Sequence, residues 1–549
     1  MVKCLNCGKD VEEGVSVCPN CGTSIRTVEI GAGKKTKGSK KKFIFLAVGL
    51  VILFAVILAV IMLIGGKKKR PVMEDGSHAY IDVDGNAYCY NGNGKLIIVE
   101  GEWVGGSITG DGKHIVLIDM EKNIYCFNGK GKKGVKIVDS AGMLITIHNN
   151  GLFYTKAANQ DQDSWENVYR YTFDTRKTID IGPSLICPAR HSLEALVLKD
   201  QEIYILPESA DELVAVASCE GGNEVNLIGI SDNGKMAVWT ETKEQTTTIY
   251  TAENKEKEKL GRLELKGSTN GYTYALFFNQ GSEVIVGNGD SDQIFRKKVG
   301  EVCIKAEAGG TFNQLDIYTI QGMLYGSQRN NVKGIYVVTK GENYLKDLYY
   351  IDENGNSERL IWNIKTLIDI QNGKAVMLDT ENSLYKTDLM LNTTGEFEKI
   401  STDVDSAQVS KNGNYIYYGK DLEDGTFTLY ECKVGINLKS TKIADDVFKM
   451  KISADGNQVI YLKNPAALEN SDMLSGDLYV KDVGKDPVKV SSDVISLFDK
   501  NDYITNDDWY CFQFDDIKEK RIVGKILHYD GKDADVEVED IWYNNLIFE

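Results

Sequence analysis

Ile452-Ser453-Ala454-Asp455-Gly456-Asn457-Gln458-Val459-Ile460-Tyr461, followed by Asp477-Leu478-Tyr479, decides the fold of this 549-residue chain. Asp-Gly supplies the positive φ of a two-residue hairpin turn. The apolar run behind it reads as a strand, and the apolar-Tyr step opens the next one. Working outward, the turn recurs as Ile108-Thr109-Gly110-Asp111-Gly112, Ile230-Ser231-Asp232-Asn233-Gly234 and Val409-Ser410-Lys411-Asn412-Gly413. The apolar-aromatic step recurs more widely: Ala87-Tyr88, Ile124-Tyr125, Val168-Tyr169, Ile203-Tyr204, Ile249-Tyr250, Ile294-Phe295, Leu348-Tyr349, Leu384-Tyr385, Leu429-Tyr430 and Leu478-Tyr479, with Ile526-Leu527 as a degenerate eleventh copy. The spacing averages about 43 residues, the period of a multi-stranded blade.

One such unit cannot bury both faces of its sheet, so neighbouring units must stack around an axis. The unit is too long for a β-helix coil and too regular for a sandwich. The pattern Ser-x-Asp/Asn-Gly with a following Asp-Leu-Tyr resembles the TolB-like, WD40-type propeller repeats of exported bacterial proteins. Ser453 to Tyr479 is the fullest copy, and Ser410 to Tyr430 the next. Units near 186–216 and 315–362 lack the full signature. The expected fold is mainly β: about eleven blade-like units over 79–549, in one large ring or two consecutive propellers. Seven prolines against 53 glycines and 28 tyrosines fit this reading.

The first 78 residues read differently. Cys4-Leu5-Asn6-Cys7-Gly8 and Cys18-Pro19-Asn20-Cys21-Gly22 are two CxxC knuckles. Two intervening residues let both thiolates of a tight turn face one ion, and four thiolates close a tetrahedral zinc site with no position for water. A disulfide pair or a redox CxxC are the competing readings, but two Gly-bearing knuckles in so short a stretch favour structural Zn2+ on Cys4, Cys7, Cys18 and Cys21. The pattern resembles the short zinc ribbons at the N-termini of many bacterial membrane proteins and covers residues 1–26. A basic linker spans 27–42. Residues 43–64, FIFLAVGLVILFAVILAVIMLI, carry no charge and are long enough to cross a bilayer as a helix. A second linker covers 65–78. Six lysines before the apolar run, against three lysines and an arginine after it, orient the N-terminus to the cytoplasm and the large domain outside the cell. The expected localisation is the cell membrane, with the lipid bilayer as a partner.

Charge divides the same way. Residues 1–70 carry 13 Lys/Arg and 4 Asp/Glu, whereas residues 71–549 carry 50 Lys/Arg and 76 Asp/Glu, a balance of −26. So acidic a surface argues against a nucleic-acid partner. Residues 33–40 mimic a phosphate loop but lack its Gly-Lys-Ser/Thr ending. Neither a Gly-x-Ser-x-Gly elbow nor a His-Glu-x-x-His helix is present. The five histidines, His78, His114, His148, His191 and His528, are scattered. Asp82-Val83-Asp84-Gly85-Asn86 has part of a calcium-loop pattern and reads as a hairpin tip. Cys89, Cys126, Cys187, Cys219, Cys303, Cys432 and Cys511 read as small apolar strand residues, an odd set that leaves at least one unpaired. The expected function is a membrane-anchored binding, sensing or scaffold module without catalysis, its loops presented to a protein or cell-envelope ligand. The alternative is a cell-envelope lyase or hydrolase with a site in the propeller channel.

Overall fold

The computed structural model describes residues 2–3 and 10–11. Between residues 80 and 543 it describes all but a set of internal stretches, the longest being 157–166, 265–272, 309–316 and 324–331. The chain divides into two compact units, Met1–Lys68 and Lys69–Glu549.

In the first unit Val2–Lys3 pairs antiparallel with Asp10–Val11, with Val2 opposite Val11. The four knuckle cysteines lie outside the described residues.

In the second unit the described residues form eleven successive antiparallel meanders, called blades 1 to 11 here: 80–99, 103–138, 141–183, 185–218, 224–264, 273–307, 317–364, 366–401, 404–444, 447–491 and 494–542. Blades 2 to 6 have four strands each, and blade 1 has three among the described residues. The last three blades run together into one sheet, because Lys439–Ser453 and Val488–Phe498 each serve as the last strand of one blade and the first of the next.

The apolar-aromatic step explains the stacking. Successive side chains on a strand point to opposite faces. In blade 9 Leu429 enters the core shared with blade 10, while Tyr430 packs on the core shared with blade 8. Blade 8 repeats this: Leu384 faces blade 9 and Tyr385 faces blade 7. Blades 1, 3 to 7, 10 and 11 follow the same rule, with Leu527 in the aromatic place in blade 11; in blade 2 Ile124 enters the core shared with blade 3, while Tyr125 packs edge-on against Trp103 of its own blade. The apolar member is buried each time. The rule also closes the molecule. Ile526 of blade 11 lies in one core with Tyr80 of blade 1, against which Tyr88 packs, and Asp82 bridges Ile541 across the same junction. Eleven cores join eleven blades in a circle. The repeats therefore form one ring and not two consecutive propellers.

The Ser-x-Asx-Gly turns lock that ring along one rim. Ser453 Oγ donates to Asp455 Oδ1 (2.8 Å) and accepts the Gln458 N–H (3.0 Å), which fixes the hairpin. Asn412, the equivalent residue of blade 9, donates its amide to the Asp455 carbonyl at 2.8 Å. Asn233 does the same to the Gln280 carbonyl at the blade 5 to blade 6 junction. Gly456 is required twice over. Its φ is +74°, and a Cβ there would lie 2.7 Å from Ser410 Cβ and 2.8 Å from Tyr415 Cβ of the preceding blade.

Two expectations are corrected. Every regular element among the described residues is a strand, so the described fold is all-β, where β with a membrane helix was expected. No helix among them is long and apolar enough to cross a membrane. The helix expected over 43–64 lies outside the described residues. The placement of the N-terminus in the cytoplasm and of the large domain outside the cell rested on such a helix, and the described residues hold none.

Candidate functional site

The flagged residues do not gather into one site, although His148 and His191 of neighbouring blades lie close enough to interact electrostatically. His114, His148, His191 and His528 stand on blades 2, 3, 4 and 11, and His78 lies outside the described residues. His114 stacks on Phe173 with ring centroids 4.5 Å apart, and its Nδ1 lies 3.9 Å from Cys126 Sγ. Burial holds His114 below its usual range and pushes the Cys126 thiol up to about 11. That pair is thiol and neutral imidazole, the reverse of an activated nucleophile. All seven cysteines after residue 70 are free. No group of His, Cys, Asp and Glu among the described residues could hold a metal ion.

The Asp82 loop is a hairpin tip, as its sequence suggests. Asp82 Oδ1 accepts the N–H groups of Asp84 (2.9 Å) and Asn86 (2.8 Å). Its Oδ2 accepts the Asn86 amide and the Tyr88 hydroxyl, both at 3.0 Å. With both oxygens engaged, the carboxylate serves the turn.

A different place gathers unusual features. Between blades 7 and 8 a cleft of about 320 Å³ is lined by Ile361, Trp362, Asn363, Ile364, Met377, Asp379, Tyr385 and Phe397. Ile361, Ile364 and Met377 belong to the buried core beneath it. Trp362 is 55% exposed and Phe397 49%, and Met390 and Leu391 on the next hairpin are more than half exposed. Large apolar side chains left open together are a recognised mark of ligand surfaces.

Local structure explains the opening. In the last strand of blade 7, Ser357–Ile364, the ladder pairs Leu348 with Ile361 and Lys346 with Ile364, so Trp362 and Asn363 together oppose Asp347. Asn363 takes a φ of +57° in this bulge. Its N–H donates to Asp347 Oδ1 at 3.0 Å, and Arg359 lies 3.4 Å from Asp347 Oδ2. Asp347 is itself buried. A bulge re-aims side chains, and here it turns Trp362 outward. The Arg359 guanidinium then covers the Trp362 ring at 5.3 Å, and the Lys399 ammonium sits 5.6 Å from the Tyr385 centroid. The blade 8 hairpin is tied to blade 7 beyond the cleft lining. Its Leu391 carbonyl accepts the Tyr336 hydroxyl (3.1 Å), and Asn392 donates to Glu358 (3.1 Å).

None of Trp362, Asn363, Asp379 and Phe397 stands out in the sequence. The one available signal is the turn Asp379-Thr380-Glu381-Asn382-Ser383, which departs from its sister turns in its last residue.

No family model matches this chain, and no curated protein matches it. Similar solved structures include the tricorn protease (14% identity, TM-score 0.28, covering 86% of this chain and 58% of that one). A eukaryotic initiation factor is similar at 10% identity and TM-score 0.37, over 76% of this chain and 95% of that one. Porphyromonas gingivalis dipeptidyl peptidase 4 is similar at 12% identity and TM-score 0.34, over 66% and 64%. This chain thus spans less than two thirds of both peptidases. At these scores the likenesses carry no argument about its site or activity.

Proposed function

We propose that the ring is a non-catalytic binding module whose ligand seats in the cleft between blades 7 and 8. The observation that supports this reading is the coincidence of two exposed aromatic rings, Trp362 and Phe397, with a preformed cavity of about 320 Å³. Burying one such ring against a ligand is worth roughly 1.5–3 kcal/mol. A rigid scaffold also keeps the ordering cost low. The acidic balance of residues 71–549 speaks against a nucleic acid as that ligand. In the N-terminal unit, Cys4, Cys7, Cys18 and Cys21 are proposed to hold a structural Zn2+; four thiolates in two CxxC pairs are a donor set suited to it.

The second reading is a hydrolase. Two of the similar structures named above are peptidases by title. Among the described residues two pairs set a hydroxyl or thiol beside an imidazole: Cys126 Sγ lies 3.9 Å from His114 Nδ1, where burial disfavours the thiolate, and Thr146 Oγ1 lies 3.5 Å from His148 Nε2, where burial holds the imidazole below its usual range.

Calorimetric titration of the full chain with 2-phenylethanol, a neutral aromatic probe, tests the cleft. Saturable binding that weakens at least tenfold in Trp362→Ala and Phe397→Ala is expected. Binding that ignores both substitutions removes the cleft from consideration.

A further inference from the structure

Among the described residues four turns begin with the same residue and the same hydrogen bond. In Asp82-Val83-Asp84-Gly85-Asn86, Asp119-Met120-Glu121-Lys122-Asn123 and Asp352-Glu353-Asn354-Gly355-Asn356, the first aspartate accepts the backbone N–H of the fifth residue on Oδ1, at 2.8–2.9 Å. In each, the asparagine that closes the turn also donates its side-chain amide to Oδ2, at 3.0, 2.8 and 2.8 Å. The carboxylate is saturated from within.

The fourth turn is Asp379-Thr380-Glu381-Asn382-Ser383. Asp379 Oδ1 again accepts two N–H groups, from Glu381 (2.9 Å) and Ser383 (2.8 Å). Serine cannot reach across as asparagine does, and Oδ2 accepts no hydrogen bond from any described residue. Among the four, this is the carboxylate that lines the apolar cleft. Arg359 and Lys399 lie over the Trp362 and Tyr385 rings, and the Lys365 ammonium donates to Asn382 Oδ1 of this same turn; none of the three pairs with Asp379.

The geometry points to a protonated amine on an aromatic or aliphatic body as the ligand of this cleft. The inference rests on the binding-module reading and names its ligand class. Three features select that chemistry. A carboxylate oxygen only accepts, so the ligand must bring a donor. A donor that also carries charge makes a hydrogen bond roughly twice as strong as a neutral one. Aromatic faces attract cations, as they already do for Arg359 and Lys399. The surplus of 26 acidic charges over residues 71–549 draws a cation to this surface and repels an anion. The cavity volume suits one ring or one branched chain with its amino group.

The test compares 2-phenylethylamine with 2-phenylethanol by calorimetric titration of the full chain. Wild type is expected to bind the amine about tenfold tighter than the alcohol. Asp379→Asn and Ser383→Asn should each bring the ratio of amine to alcohol affinity down to about one. Ser383→Asn rebuilds the sister turns and therefore keeps the fold; an unchanged circular dichroism spectrum and a melting point no lower than that of wild type report this. Equal affinity for both probes in wild type, or an amine preference that survives Ser383→Asn, overturns the amine inference and leaves the cleft standing. Tighter binding of methyl β-glucoside than of the amine overturns the ligand class. Loss of the cleft itself is read separately, from Trp362→Ala having no effect on the alcohol.

Discussion

The junction of blades 9 and 10 and that of blades 7 and 8 are built from the same repeat, and one is closed where the other is open. Between blades 9 and 10 the core holds Tyr415, Tyr417, Leu429, Val447, Val459 and Tyr461, all buried. The Tyr417 hydroxyl donates to the Gly456 carbonyl at 2.8 Å, and Lys481 pairs with Glu431 at 3.2 Å. Between blades 7 and 8 the inner core is just as dry, with Tyr336, Leu348, Ile361 and Met377 buried. Its outer part parts company at the Trp362–Asn363 bulge and at the unsaturated Asp379 turn. The repeat thus fixes the inner strands, and function has room only where the outer strand and its turn depart from it.

The comparison breaks most violently at Gly456. Gly456→Val needs a strained positive φ and drives a side chain into Ser410 and Tyr415. We expect a loss of about 3 kcal/mol or more, read as a large fall in the thermal midpoint. No substitution of the exposed cleft residues should approach it.

Next comes pH. Burial raises the Cys89 thiol to about 12 and the Cys126 thiol to about 11, against an ordinary 9.0. A raised folded-state value means the folded chain holds its proton more tightly. The resulting stability is complete below pH 9 and is lost as pH climbs toward 11–12. Melting points should be flat from pH 7 to 9 and fall above it. Iodoacetamide at pH 8 should leave both thiols unlabelled until the ring unfolds.

The stacking was legible because period-2 alternation leaves its trace in sequence. Tyr204 and Tyr349 mark blades 4 and 7 although neither blade carries a full Ser-x-Asx-Gly turn, since packing on both faces needs the apolar-Tyr pair whatever the turn. The ring closure was not legible. Every junction uses the same residue types, so a sequence for one ring and a sequence for two look alike; only the meeting of Tyr80 and Tyr88 with Ile526 and Ile541 decides. The cleft was hidden for a related reason. Trp362 follows Leu360-Ile361 as any strand residue would, and its exposure depends on Asp347, which lies sixteen residues before Asn363 and holds its N–H. The apolar stretch at 43–64 dominated the reading of cellular placement, and the all-strand architecture of the described residues gave that reading no counterpart.

Asp347→Ala should therefore act on both halves of the comparison. It strands the Asn363 N–H and the Arg359 guanidinium, at a cost of about 1–2 kcal/mol. It should also relax the bulge, so that 2-phenylethanol binds several-fold more weakly. Stability loss without a change in binding would show that the bulge is not what turns Trp362 outward.

The smallest effect carries the sharpest distinction. Ser383→Asn adds the one hydrogen bond that the turns at Asp82, Asp119 and Asp352 possess and the turn at Asp379 lacks. If the sister turns are optimised for folding, the substitution should raise stability by about 0.5–1 kcal/mol, read from chemical denaturation. An open carboxylate kept at that cost is what a binding site requires, since natural sites give up stability where they must meet a ligand. A neutral or destabilising result would mean the turn already satisfies Asp379 in some other way, and the contrast between the two junctions would then rest on the Trp362 bulge alone.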